Sequence, residues 1–119
     1  MSCVFCDIIN KKIQSDILFE DASFILIKDI KPDAKIHLLA IPKNHINNLN
    51  DATKLDFEII RNIFVFISKN RCKYGLENGY RIIMNNGLHA AQTVNHCHIH
   101  ILGGQQLNHT PCVWQDKET

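Results

Sequence analysis

Two helical segments set among five short apolar runs predict a mixed α and β fold for this chain of 119 residues. Three observations carry that expectation. The N-terminal third holds three apolar, β-branched runs at close spacing, which read as an antiparallel meander. A wide apolar helix pattern follows. Two more strand candidates come after it, and the second holds His96-Cys97-His98-Ile99-His100, in which histidine alternates with apolar residues.

Taken in order, Phe5, Ile8 and Ile9 give residues 5–12 the spacing of a short helix. Residues 17–20 are a strand candidate, and Glu20-Asp21 a turn. Residues 24–29 are apolar and β-branched, a second strand. Lys31-Pro32-Asp33 is turn chemistry, because proline fixes φ. Residues 36–41 form a third strand, which Pro42 stops. Asp51 is placed to cap a helix that runs to about Tyr74 and stops at Gly75. From Ile59 onward its apolar set, which includes Ile60, Ile63, Phe64, Val65, Phe66 and Ile67, is too wide for one buried stripe. A second copy of the chain is expected to cover the excess, making a homodimer. Residues 80–85 and 94–102 are the last strands, joined by a loop that opens on Asn86-Gly87, and Gly103-Gly104 ends the second. The length fits one domain over residues 1–119, with residues from about 108 to 119 as a surface tail.

Composition narrows the function. A net charge of +1 with scattered Lys and Arg lacks the clustered cations that phosphate backbones require, so no nucleic-acid partner is expected. No run reaches the ~18 apolar residues of a membrane span. The N-terminus also lacks the basic and apolar regions of a secretory signal. An odd count of five cysteines argues against a disulfide framework and fits a reducing, cytoplasmic location.

In a strand, side chains two apart share a face. His96, His98 and His100 would then line one face, with Cys97, Ile99 and Ile101 packed on the core behind them. Two chemistries compete for such a row, metal binding and phosphate binding with one histidine as nucleophile; a merely solvated polar face is the bland alternative. The preceding loop, Asn85 to Thr93, tilts the balance toward phosphate. It offers small residues for close backbone approach and Gln92 and Thr93 as side-chain donors.

These residues resemble the histidine triad superfamily, whose motif is His-φ-His-φ-His-φ-φ with φ apolar. Here it stands as His96-Cys97-His98-Ile99-His100-Ile101-Leu102. The likeness spans residues 3–107. It takes in Cys3-Val4-Phe5-Cys6-Asp7-Ile8-Ile9, Phe19-Glu20-Asp21, Asp29-Ile30-Lys31-Pro32, His37 to His45, Arg81 to Asn85 and Gln92-Thr93-Val94. Gly103-Gly104 looks like the histidine triad nucleotide-binding branch rather than the diadenosine polyphosphate hydrolase branch.

The resemblance implies an α+β fold: a five-stranded antiparallel sheet with one long and one short helix, paired as a two-fold dimer. It implies hydrolysis of purine nucleoside phosphoramidates through a nucleotidyl-histidine. His98 matches the nucleophile, His100 and His37 its supporting histidines, and Thr93 the donor to the leaving group. Asn85 and the Thr93–Val94 backbone would hold phosphate oxygens. Asp29 would take the ribose hydroxyls, and Phe5, Ile8, Phe24 and Ile27 would match or neighbour the clamp on the base. Ala90-Ala91 depart from the family's usual glycines. Two other functions are weighed: a dinucleoside polyphosphate hydrolase, and a non-catalytic nucleotide-binding scaffold. In some relatives a C-terminal Trp reaches the partner's site, and Trp114 is the candidate here.

Cys3-x-x-Cys6 has the spacing of half a tetrahedral zinc site. A redox pair and two free thiols are the alternatives. The resemblance to bacterial-type relatives implies that His45 and His96 complete a structural Cys2His2 zinc centre. No organic cofactor is expected.

Overall fold

The computed structural model describes residues 3–108. Trp114, Cys112 and most of the expected tail lie outside the described residues. Helix α1 spans Val4–Ile9 and strands β1, β2 and β3 span Ile17–Glu20, Phe24–Lys28 and Ile36–Pro42. Helix α2 spans Lys54–Asn70, and β4 and β5 span Tyr80–Ile83 and Ile99–Gly103. All five strands pair antiparallel in the order β1-β2-β3-β5-β4. The α+β expectation of a five-stranded sheet with one long and one short helix therefore holds.

The two faces of the sheet do different work. On one face Leu26, Leu38, Ala40, Ile99 and Ile101 meet Ile60, Ile63 and Ile67 of α2. The helix residues stand at i, i+3 and i+7, the stripe that a 3.6-residue period presents to a core. Burying each isoleucine fully contributes about 1.5–3 kcal/mol. On the other face Phe5 and Ile8 of α1 pack over Ile25, Ile27, Leu39 and Ile41. Helix α1 is short, and the histidines lie on this side.

Two element boundaries differ from the expectation. Thr53, not Asp51, caps α2: its hydroxyl accepts from the Asp56 amide, and the Asp56 carboxylate accepts from the Thr53 amide. Such a reciprocal pair satisfies two amides at once, which a lone aspartate does not. Asp51 closes a 3-10 turn, Leu49–Asp51, instead. Regular helix ends at Asn70 rather than Tyr74. Gly75 is still the stop: at φ +75° it lets Leu76 N–H reach back to the Arg71 carbonyl at 2.8 Å.

The third difference bears on function. Strand β5 begins at Ile99, not at Val94, so His96 and His98 precede the ladder. Ala40 pairs with Ile99 in the last rung. The partner strand ends in Pro42, which has no N–H to give. Its carbonyl binds the His96 ring instead. At the other end, a Cβ on Gly103 would lie 2.7 Å from Leu76 Cδ2, and one on Gly104 2.5 Å from Ile36 Cγ1. The glycine pair is thus demanded by packing at the sheet's end.

Candidate active site and metal centre

The five histidines of interest fall into two groups rather than one row. His37 faces Leu102 and Leu39 faces His100 across β3 and β5. His37 and His100 are therefore diagonal neighbours on one face. The His98 and His100 rings stand 5.0 Å apart, and the Phe5 ring meets His98 edge-on at 4.9 Å. His96 turns toward His45, whose ring it meets edge-on at 4.6 Å. The expected side-by-side row of three imidazoles is thereby corrected, because the bend before β5 sends His96 to the opposite neighbourhood.

Backbone groups have fixed polarity, so a histidine bonded to one has its tautomer set. The Pro42 carbonyl only accepts: His96 donates Nε2–H to it at 2.8 Å and keeps its lone pair on Nδ1. The His96 carbonyl only accepts: His98 donates Nδ1–H at 2.7 Å and keeps its lone pair on Nε2. The Asp33 amide only donates: His37 accepts at Nδ1 over 3.0 Å and carries its proton on Nε2. That Nε2 lies 2.9 Å from His100 Nδ1, so the proton of neutral His100 sits on its own Nε2.

The free lone pair of His96 faces Cys3 Sγ at 3.4 Å and Cys6 Sγ at 3.6 Å. Cys6 Sγ lies 3.2 Å from His45 Nδ1. These four ligand atoms all lie within 4.8 Å of one another. A tetrahedral zinc with bonds of ~2.3 Å to sulfur and ~2.0 Å to nitrogen has edges of about 3.3–3.8 Å. One nitrogen lone pair accepts a single S–H, so two thiols on it exceed the needs of a hydrogen bond and fit a metal. Pro42 supplies the outer bond that fixes a ligating imidazole. Burial holds His96 below its usual range, in the neutral form that ligates. The residues therefore fit the zinc centre.

Asp29, His37 and His100 also place three ligand atoms within 4.8 Å of one another. They fit a metal poorly. Binding through His37 Nε2 would move its proton to Nδ1, directly against the Asp33 N–H. This group is a hydrogen-bonded His37–His100 pair with a carboxylate beside it. Asp29 Oδ2 sits 3.4 Å from His37 Nε2, and its Oδ1 accepts from the Lys31 amide at 2.8 Å.

Burial lowers the His98 pKa despite its bond to the His96 carbonyl and the nearby Asp29 charge. His100 is lowered by burial first, then by His98 and His37. Cys97 is pushed up to about 11, chiefly by burial, and is an inert core thiol.

Phe5, Ile8 and Ile27 come together, with Val94 packed against them. Phe24 does not join them: it lies on the α2 face, against Phe19 and Phe66. Residues three apart in a strand point to opposite faces, so Phe24 and Ile27 could not share a site. Gln92 is also committed elsewhere. Its Oε1 accepts from the Gly87 amide at 2.8 Å, and its Nε2 donates to the Asn47 and Val94 carbonyls at 2.6 and 3.0 Å. It ties the loop together instead of donating to phosphate. Asn85 is half-buried and Thr93 exposed in that loop. His89 is exposed beside them. Sequence reading missed the backbone partners, Asp33, Pro42 and the His96 carbonyl, and only Pro42 left a signal, as a strand end.

A histidine run entering an inner strand of such a sheet, beside the central one, is the architecture of a histidine triad protein. The family model described as "Scavenger mRNA decapping enzyme C-term binding" matches residues 2–110. A protein of Chlamydia muridarum described as "Uncharacterized HIT-like protein" is 45% identical over 107 residues, covering 90% of this chain and 85% of its own. A "HIT family hydrolase" structure from Clostridium thermocellum superposes with a TM-score of 0.86 at 41% identity, over 92% of this chain and 96% of that one. A structure described as a Zn-bound histidine triad family protein from Mycobacterium smegmatis gives a TM-score of 0.78 at 34% identity, over 88% and 76%. The chain belongs to the histidine triad (HIT) family. Among the described residues, no helix is long and apolar enough to cross a membrane.

Proposed function

We propose that this protein hydrolyses purine nucleoside 5'-phosphoramidates through a nucleotidyl-His98 intermediate. The observation that carries the reading is His98 itself: kept neutral by burial, its Nδ1–H held by a backbone carbonyl, its lone pair left on Nε2. Nε2 attacks the α-phosphorus and the P–N bond breaks, the nitrogen having taken a proton from solvent so that it leaves as the free amine. His37 holds His100 in the tautomer that directs Nε2–H at a phosphoryl oxygen, where it stabilises the developing charge. Water then attacks phosphorus, gives a proton to solvent, and the P–Nε2 bond breaks to return neutral His98 and release the nucleoside monophosphate.

Asn85, Thr93 and the Val94 amide hold phosphate oxygens and leaving group. Asp29 binds the ribose, and Phe5, Ile8 and Ile27 contact the base. Zinc on Cys3, Cys6, His45 and His96 is structural and supplies a closed cross-link between α1 and the segment before β5. No organic cofactor takes part. The ligand is a purine nucleotide or conjugate, not nucleic acid, and the compartment is the cytoplasm, where the thiols stay reduced. The chain works as one HIT domain over residues 1–119. Phe57, Phe64 and Val65 of α2 and Ile82 of edge strand β4 are exposed apolar residues, and they support a homodimer.

The test compares wild type with His98→Ala on an adenosine 5'-phosphoramidate and a diadenosine polyphosphate, with intact mass to detect adenylyl-protein. Phosphoramidate turnover and an adenylyl mass in wild type alone are expected. Equal turnover by both proteins ends the nucleophile assignment, and turnover of the polyphosphate alone moves the chain to the other branch.

A further inference from the structure

We infer that His96 is a positioning residue that joins the zinc centre to the nucleophile: the metal holds its ring, and its carbonyl holds His98. Only the kinetic consequence rests on the phosphoramidate reading. The same residue has its ring Nδ1 against Cys3 and Cys6 and its backbone oxygen 2.7 Å from His98 Nδ1. Ring and oxygen belong to one wholly buried residue, so how the ring is held bears on where the oxygen points.

The segment between Asn95 and Ile99 has few backbone bonds to fix it. It lies outside the β5 ladder, and Pro42 cannot extend that ladder. Among the described residues its backbone is tied by Cys97 N–H to the Ile46 carbonyl at 2.7 Å. Its side-chain ties are the His96 Nε2–H bond to Pro42, the buried Cys97 thiol and the Phe5 ring, which meets His96 and His98 edge-on at 5.9 and 4.9 Å. The Pro42 bond and the sulfur ligands grip opposite ends of one imidazole. With the metal gone, the ring is held at one end and the His96 carbonyl can swing. His98 is then free to rotate or to exchange its proton between ring nitrogens, and the Nε2 lone pair is lost for part of the time. Of the base and ribose contacts, Ile27 and Asp29 do not pass through His96, whereas Phe5 meets the His96 ring edge-on at 5.9 Å. The loss therefore falls on kcat more than on nucleotide binding.

The metal is reachable without unfolding the chain. His45 is exposed, and with Cys3 it lines a hollow of about 470 Å³ that also borders Thr93 and Val94. A chelator has a path to the site while His96 stays buried behind it.

The experiment follows the His98 Nδ1–H resonance by NMR in histidine-labelled protein loaded with zinc, stripped by chelator, and loaded with cadmium, which takes the same donors at longer bonds. Steady-state kinetics on adenosine 5'-phosphoramidate run in parallel. The expected result is a sharp, slowly exchanging resonance with zinc that broadens or vanishes on stripping. kcat then falls about tenfold with KM changed less than about twofold, and zinc restores both. An unchanged resonance and kcat in stripped, folded protein overturn the inference. Should the stripped chain unfold, the cadmium sample decides: a resonance that shifts with the metal supports the coupling, and one identical in both metals refutes it. A metal-dependent resonance without phosphoramidate turnover sinks the substrate reading and leaves the coupling standing.

Discussion

The two histidine clusters each pair imidazoles with other ligand-type side chains, thiols in one and a carboxylate in the other, and reach opposite chemistry. In the Cys3–Cys6–His45–His96 group, an outer carbonyl takes a ring proton from His96 and turns its lone pair inward. In the Asp29–His37–His100 group, an outer amide takes the His37 lone pair and turns its proton inward. The first is prepared for a cation and the second for hydrogen-bond donation. What separates them is the polarity of one backbone group behind each ring. Ligand counting alone would score both as metal sites.

Breaking the comparison at its catalytic end gives the largest effect. His98→Ala should lower phosphoramidate turnover by at least about 10³-fold, read by initial rates, while zinc content stays at the wild-type level. His37→Phe removes the donor to His100 and should cost about 10²-fold in kcat, again with zinc unchanged. A fall in zinc content with that variant would mean that the two clusters are not separate. Cys6→Ala does the reverse. It should empty the metal centre, lower Tm by about 10 °C and retain roughly a tenth of the activity, measured by metal analysis, calorimetry and kinetics together.

Acid sharpens the contrast. His100 must be neutral at Nδ1 to accept from His37, and burial, His98 and His37 hold its pKa below the usual histidine range, against the opposing charges of Asp29 and Asp33. Activity should persist at pH 6.5 and fall only as pH drops through that lowered value. In His37→Phe one of the lowering causes is gone, so the acid limb should move to higher pH. A limb that stays in place would remove His37 from the pair.

The smallest effect concerns the loop that delivers His45. Asn44 Nδ2 donates to Asp56 at 2.8 Å, and Asp56 also closes the cap of α2. The Thr53 amide and Asn44 hold the Asp56 carboxyl below its ordinary range. A lowered carboxylate contributes stability above its unfolded pKa of ~4, and that contribution is lost as pH falls through the lowered value. Asp56→Asn should therefore cost about 1 kcal/mol at neutral pH, by denaturant melts, and the two proteins should converge in acid.

Much of this was legible in the residues, for reasons that follow from period and spacing. The five strands and both helices came from apolar pattern, His98 and His100 from the triad motif, and His37 from the wider resemblance. The Cys3-x-x-Cys6 spacing offered half a site. Its other half, His45 and His96, is brought by the fold from opposite parts of the chain. Phe24 was a legible error, since strand parity already separates it from Ile27. Gln92 was not legible, because a loop has no period to reveal that its amide bridges Gly87, Asn47 and Val94. Nor was the bend at His96, which depends on a proline carbonyl across the sheet. Tautomers are set by such partners, and no one-dimensional pattern records them.

The most direct measurement of the difference between the clusters is metal content with ligand identity: zinc per chain by elemental analysis, and zinc-edge X-ray absorption for its neighbours. One zinc per chain, bound by two sulfurs and two imidazole nitrogens and unaltered in His37→Phe, is the predicted result. Two metals per chain, or a zinc with only nitrogen and oxygen neighbours, would contradict the assignment of the first cluster to metal and the second to hydrogen-bond donation.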